Sequence, residues 1–246
     1  MESCQLCWRT GRIALKPTRR ITRRELKRDP LLETIYSLQK LYERNRRVVR
    51  VVVLGGAAVG MIVLILSGWR SSLRQSAEEL FSRGISRYNT GETGAARDDF
   101  ETLMDEYDGT RSGQDALYYL GKIYLDSGDS SEAENSFRQY LKKGKSVFLR
   151  AASLESLGNL ARSKGAYEEA ARLFARASSL PTFPFNQQQN KIHAAECWLK
   201  AGDREKARIL LLELESAENV HRIIQDQVDE LFAHLTLAAS QSSSTR

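Results

Sequence analysis

Residues 116–137 read ALYYLGKIYLDSGDSSEAENSF, and this stretch decides the fold. Leu120 and Tyr124 lie four apart, as residues sharing one face of a helix do. Gly128 breaks the pattern where a helix would end, since glycine takes the φ > 0 conformation of a C′ residue at no steric cost. Asp129-Ser130 is a polar pair suited to starting a second helix. Ala133 and Phe137 then fall one turn apart on that helix. The alanine lets two antiparallel helices approach, and the ring fills the space beside them. Gly121 is small where a neighbouring helix must cross.

Working outward, the same pattern recurs every 37 residues. The turn glycine repeats as Gly91, Gly128, Gly165 and Gly202. The small crossing residue repeats as Gly84, Gly121, Gly158 and Ala195. The close-approach alanine is Ala96, Ala133, Ala170 and Ala207, and the large apolar residue is Phe100, Phe137, Phe174 and Leu211. Internal repetition at such a period marks a unit that cannot bury its own apolar side and must stack on its neighbours. Four prolines in 246 residues leave long stretches free for helix. The expected fold class is all-α.

This pattern resembles the tetratricopeptide repeat, which carries a small residue at its eighth position, alanine at its twentieth and a large apolar residue at its twenty-fourth. The resemblance covers residues 77–216 and implies an α-solenoid of four helical hairpins. The family period is about 34 residues; the three extra residues here fall after the large apolar position. Two departures stand out, Arg83 where leucine is expected and Ala195 where glycine is usual. Val220, Ile223, Ile224, Val228, Leu231, Phe232 and Leu235 then repeat at helical spacing. A capping helix over 217–239 would cover the last hairpin, and 240–246 reads as a disordered tail.

Val51 to Trp69 (VVVLGGAAVGMIVLILSGW) contains no charged residue. About 20 helical residues cross a bilayer core, so this stretch reads as a transmembrane helix over 48–69. Some fifty residues precede it, which separates it from a cleaved signal peptide, and no other segment approaches its apolarity. The net charge of +6 is unevenly spread: residues 1–50 hold fourteen Lys/Arg against five Asp/Glu, and the remainder is slightly acidic. Nucleic-acid binding by the bulk of the protein therefore loses its main support. Arg44, Arg46, Arg47 and Arg50 crowd the N-terminal flank of the apolar stretch, and positive charge stays on the cytoplasmic side. The expected organisation is a basic, disordered cytoplasmic leader (1–29), an amphipathic juxtamembrane helix (30–47), the transmembrane helix (48–69), a linker (70–76), the repeats (77–216), the capping helix and the tail. The anchor implies a lipid bilayer partner, one pass, and an exported C-terminal part.

No catalytic or metal-binding constellation emerges, and no cofactor is implied. His193, His221 and His234 stand singly on predicted helices. Cys4 and Cys7 form a lone CxxC, and Cys197 reads as a packing residue. By resemblance to the family, the first helices of the repeats line a concave protein-binding surface. Its candidate residues are Tyr118, Lys122, Leu125 and Asp126 in the second copy, with Asp115. In the third they are Glu155, Asn159 and Arg162, with Ala152 and Ser163.

The N-terminal stretch RITRRELKRDPLLETIYSLQKLYERNRRVV, followed by a span and these repeats, resembles bacterial inner-membrane proteins related to the ancillary tetratricopeptide-repeat subunit of the Sec translocon. That resemblance implies a periplasmic adaptor or chaperone-like role in protein export, with translocon components, periplasmic chaperones or unfolded clients as partners. A scaffold for envelope assembly or cell division is a second reading. A mitochondrial inner-membrane assembly factor is a third, since Met1 to Arg24 is arginine-rich. An enzyme is the least expected class.

Overall fold

A computed structural model of the chain describes Tyr36, Lys40, Glu43 and residues 45–244, with side chains through Thr236. The readings for 1–29, including Cys4 and Cys7, for most of 30–47 and for residues 245–246 lie outside the described residues. Among those described, every regular element is an α-helix. In chain order these are α1 (Arg46–Asn89), α2 (Thr93–Glu106), α3 (Arg111–Asp126), α4 (Ser130–Lys143), α5 (Val147–Ser163), α6 (Tyr167–Ser178), α7 (Pro184–Lys200), α8 (Arg204–Glu215) and α9 (Arg222–Ser244).

Two compact units divide the chain, residues 1–65 and 66–246. In the first, Val51 through Ile65 are all solvent-exposed helical residues. Among the described residues α1 is the one helix long and apolar enough to cross a membrane; its most apolar window has a mean hydropathy of 2.5 and no buried residue. The expected linker at 70–76 is itself helix. RSSLRQS contains neither proline nor glycine, so nothing local interrupts the hydrogen-bond ladder. At the other end, α9 begins later than the 217–239 reading and continues through residues assigned there to a tail.

In the second unit, helices pack on their neighbours in chain order, and α9 packs on both α7 and α8. Each turn within a hairpin is built on a glycine in the left-handed region, with φ of 84° at Gly91, 86° at Gly128, 74° at Gly165 and 86° at Gly202. The backbone closes each of these turns the same way. Gly128 N–H donates to Leu125 O at 3.0 Å and Asp129 N–H to Tyr124 O at 2.8 Å, and the other three turns repeat both bonds. This is the Schellman arrangement, which satisfies the carbonyls left open at a helix end. The polar residue after the glycine contributes less than its type suggests. Asp203 caps α8 by accepting from Lys206 N–H at 3.1 Å, whereas Asp129 makes no side-chain cap.

Within each hairpin the two helices meet through one repeated contact. Phe100, Phe137, Phe174 and Leu211 have no exposed surface, nor do Ala96, Ala133, Ala170 and Ala207. A Cβ added to Gly84, Gly121 or Gly158 would come within 2.7 to 2.9 Å of the phenylalanine ring of its own hairpin. In the fourth hairpin the partner is Leu211, and there Ala195 is accommodated, also fully buried. A branched aliphatic chain does not present a flat ring to the crossing point, so the extra methyl has room. The departure at Ala195 thus follows from its partner.

Arg83 has a different explanation. It stands with Arg87 at positions held by Leu120 and Tyr124 in the second hairpin, where they pack against the first hairpin's core. Among the described residues no hairpin precedes the first, and both arginines turn to Asp99. Arg83 Nη2 donates to Oδ1 at 2.9 Å and Arg87 Nη1 to Oδ2 at 2.7 Å. Asp99 is only 5% exposed, and this double pairing is what makes its burial tolerable.

Candidate protein-binding face

The first helices of the hairpins (the end of α1, then α3, α5 and α7) supply the candidate residues. Spacings of three and four residues put them on one face of each helix, and three cross-helix interactions tie the helices together. Tyr88 Oη at the end of α1 donates to Asp126 Oδ2 at the end of α3, at 2.9 Å. Tyr118 on α3 feels the carboxylate of Glu155 on α5. Arg162 Nη1 on α5 lies 3.7 Å from Glu196 Oε2 on α7.

Tyr118 sits at the centre of an aromatic group, 5.2 Å from the ring of Tyr119, 5.8 Å from Phe137 and 6.3 Å from Tyr140. Burial, the neighbouring Tyr119 and Glu155 together raise its phenol pKa above the ordinary value, so it stays a neutral donor. Tyr88, desolvated and bonded to Asp126, is pushed up to about 12. Below these rings, the fully buried Tyr140 donates to Asp115 Oδ1 at 3.0 Å. Asp115 is thereby taken out of the exposed set and into the core, where Arg111 approaches it at 3.5 Å.

Lys122 is half-buried and has no ion-pair partner among the described residues. Leu125 packs against the larger core cluster. Asn159 is exposed but engaged, its Oδ1 accepting from Arg162 Nη2 at 2.7 Å, and the same guanidinium lies 5.7 Å over the Phe174 ring. Beyond it, Glu196 interacts with His193 Nδ1 at 3.4 Å, and that contact, with Arg162 and Lys200, holds the Glu196 carboxyl below the usual glutamate range. Ala152 is half-buried and Ser163 exposed.

The face is therefore two linked groups. Tyr88, Tyr118, Lys122 and Asp126 form one; Asn159, Arg162, Glu196 and His193 form the other. Sequence reasoning that stopped at the second and third copies missed Tyr88, His193 and Glu196. The 37-residue register contains Tyr88 and Glu196, because they are the first- and fourth-copy counterparts of Leu125 and Asn159. The face carries donors (Lys122, Arg162, Tyr118) beside acceptors (Asp126, Glu155). A separate depression between α6, α7 and α8, lined by Gln187, Gln188, Lys191 and Glu213, contains none of these residues. Cys197 is a buried free thiol whose pKa burial pushes up, as for an inert packing residue. Among the described residues no three His, Cys, Asp or Glu side chains are grouped as metal ligands are.

Comparison with known proteins agrees with the repeat pattern of the helices. A family model described as tetratricopeptide repeat matches residues 81–146 and again 120–182, together less than half of the chain. Repeats of this kind are typically non-catalytic and mediate contacts between proteins. No curated protein matches the chain. In the turn glycines, the ring-on-glycine contacts and this match, residues 81–182 are similar to the tetratricopeptide repeat.

Proposed function

We propose that this protein is a membrane-anchored scaffold that binds other proteins through its repeats, serving as an adaptor or chaperone-like partner of protein export at a bacterial inner membrane. The observation that carries the anchored reading is the apolar window of α1, at a mean hydropathy of 2.5 with none of it buried. A core helix of a soluble protein buries such a surface. The arginine-rich flank favours a cytoplasmic N-terminus and periplasmic repeats. The four hairpins over 77–216 stack as an α-solenoid with α9 as its cap, and the face bearing Tyr118, Lys122 and Asn159 is its concave binding surface. No catalytic role is assigned to any residue.

Photo-crosslinking from Tyr118 and Asn159 in the full-length protein, read by mass spectrometry, tests the partner. Translocon subunits, periplasmic chaperones or unfolded clients support the export role. Division or wall-synthesis proteins instead support an envelope scaffold. Protease added to spheroplasts tests the topology: repeats that stay intact until the membrane is lysed contradict a periplasmic location.

A further inference from the structure

Between hairpins, α3, α5 and α7 each begin against the end of the helix before, and the chain closes each junction differently. Gly113, Arg150 and Gln187 stand 37 residues apart, near the starts of these three helices. At the first junction the backbones touch: a Cβ on Gly113 would collide with the carbonyl oxygen of Tyr107, which ends α2. At the second, the Arg150 guanidinium covers the carbonyl end of α4. Its Nη1 donates to Leu141 O at 2.7 Å and to Gly144 O at 3.2 Å. At the third, Gln187 makes a shorter reach, Nε2 donating to Leu180 O at 2.6 Å.

The third junction is the open one. A depression of about 530 Å³ lies between α6, α7 and α8, and Gln187, Ser178 and Ser179 are in its lining. Ser178 is the register counterpart of Leu141, and its carbonyl accepts no hydrogen bond among the described residues. A carbonyl of the kind that Arg150 satisfies at the end of α4 thus has no donor from the chain at the end of α6. The lining also supplies a carboxylate. Glu213 Oε2 pairs with Lys191 Nζ at 2.9 Å, and its Oε1 has no partner among the described residues. Leu210 and Leu214 of α8 make part of the wall apolar. An adjoining depression shares Leu214 and Ala217, and its lining carries Glu215, Glu218 and Asp229 with no lysine or arginine.

We propose that this depression is a docking site for an arginine side chain of a partner protein, which takes at the third junction the place that Arg150 holds at the second. The guanidinium donates to Ser178 O and to the Glu213 carboxylate, and its apolar stem lies along Leu210 and Leu214. A guanidinium carries its donors in a fixed fork and is weakly hydrated, so it suits a carbonyl and a carboxylate together. An ammonium is a strongly hydrated point charge and suits them less. The carboxylates of the adjoining depression favour a partner segment with further positive charge. The site is separate from the face bearing Tyr118, and it stands whether or not α1 spans a bilayer.

The test uses the full-length chain in a non-ionic detergent with a fluorescein-labelled Ala-Arg-Ala-Arg-Ala peptide, read by fluorescence anisotropy at fixed ionic strength. The same peptide with lysine, or with citrulline, in place of both arginines should bind roughly fivefold or more weakly. Gln187→Arg gives the third junction the residue of the second. It should keep the helix content and weaken the arginine peptide by roughly tenfold or more, through like charge and lost space. Tyr118→Ala should leave that binding unchanged. No binding up to about 1 mM arginine peptide overturns the site. A lysine peptide that binds equally well reports general charge attraction and also overturns it. Binding that survives Gln187→Arg, or that Tyr118→Ala removes, puts the peptide elsewhere; the proposal then falls while the face bearing Tyr118 keeps its proposed role. If Gln187→Arg loses helix content by circular dichroism, Ser179→Trp, at an exposed residue of the lining, takes its place with the same expected loss.

Discussion

In the third hairpin, Leu157 and Ala161 are buried in the core that α5 shares with α4 of the hairpin before it. In the first, the same register positions hold Arg83 and Arg87, which lean onto Asp99. Yet Gly84 and Phe100 of the first hairpin meet just as Gly158 and Phe174 of the third do. The difference separates two kinds of repeat position. Those that answer to the partner helix in the same hairpin keep their residue type. Those that answer to the preceding hairpin change where none is described, and charge replaces carbon.

Breaking the first kind of position should have the largest effect. Phe137→Ala removes a fully buried ring and is expected to cost about 3–5 kcal/mol in equilibrium unfolding of the detergent-solubilised chain. A loss no larger than that of a surface substitution would mean that the ring does not hold the hairpin. Giving the first hairpin the second one's chemistry comes next. Arg83→Leu with Arg87→Tyr strands the buried Asp99 carboxylate, an expected loss of about 1–3 kcal/mol. Adding Asp99→Ser, the residue of the second copy, should restore stability and leave an apolar edge that self-associates in light scattering. If the triple variant is no more stable than the double, the carboxylate is not the cause.

Gly121→Ala sharpens the comparison with the fourth hairpin. Its methyl meets the Phe137 ring at 2.7 Å, and overpacking of that kind costs about 1–3 kcal/mol. Combining it with Phe137→Leu recreates the Ala195–Leu211 pair, so the double variant should lose less than the sum of the singles by about 0.5 kcal/mol or more. Strict additivity would break the explanation given for Ala195. The smallest effect concerns Glu134, which joins the second hairpin to the third through Lys164 at 2.6 Å and also binds Arg138. Those partners, Lys164 foremost, hold its carboxyl below the usual range. A depressed folded pKa gives stability above the unfolded value of about 4.3, lost as pH falls through the folded value. Glu134→Gln should flatten that acid-side slope by less than about 1 kcal/mol; an unchanged slope assigns it to other carboxylates.

The candidate face was legible only by halves. Tyr118, Lys122 and Asn159 are expected on the face only through the resemblance to the family. That Asp115 would sink beneath Tyr140, or that Arg162 would span Asn159, Phe174 and Glu196, is not implied by it. All but the Arg162–Asn159 bond join side chains on different helices, and a helix crossing or a rotamer decides them. Asp129 and Asp203 make the same point locally. Both follow a turn glycine, and only Asp203 uses its side chain as a cap. The backbone bonds already close the turn, leaving the carboxylate free to go either way.

By itself the amino-acid sequence determined the helix class, the 37-residue period, the places where the chain reverses and the one apolar stretch long enough for a bilayer. Each depends on a local rule: glycine at φ > 0, apolar spacing along a helix, or the length of an uncharged run. Tertiary structure alone decided why Arg83 and Ala195 depart from the repeat, how far α1 runs, and which polar groups meet across helices. Those outcomes turn on what stands next to a residue in space, and no periodicity in one dimension encodes a neighbour some thirty residues away.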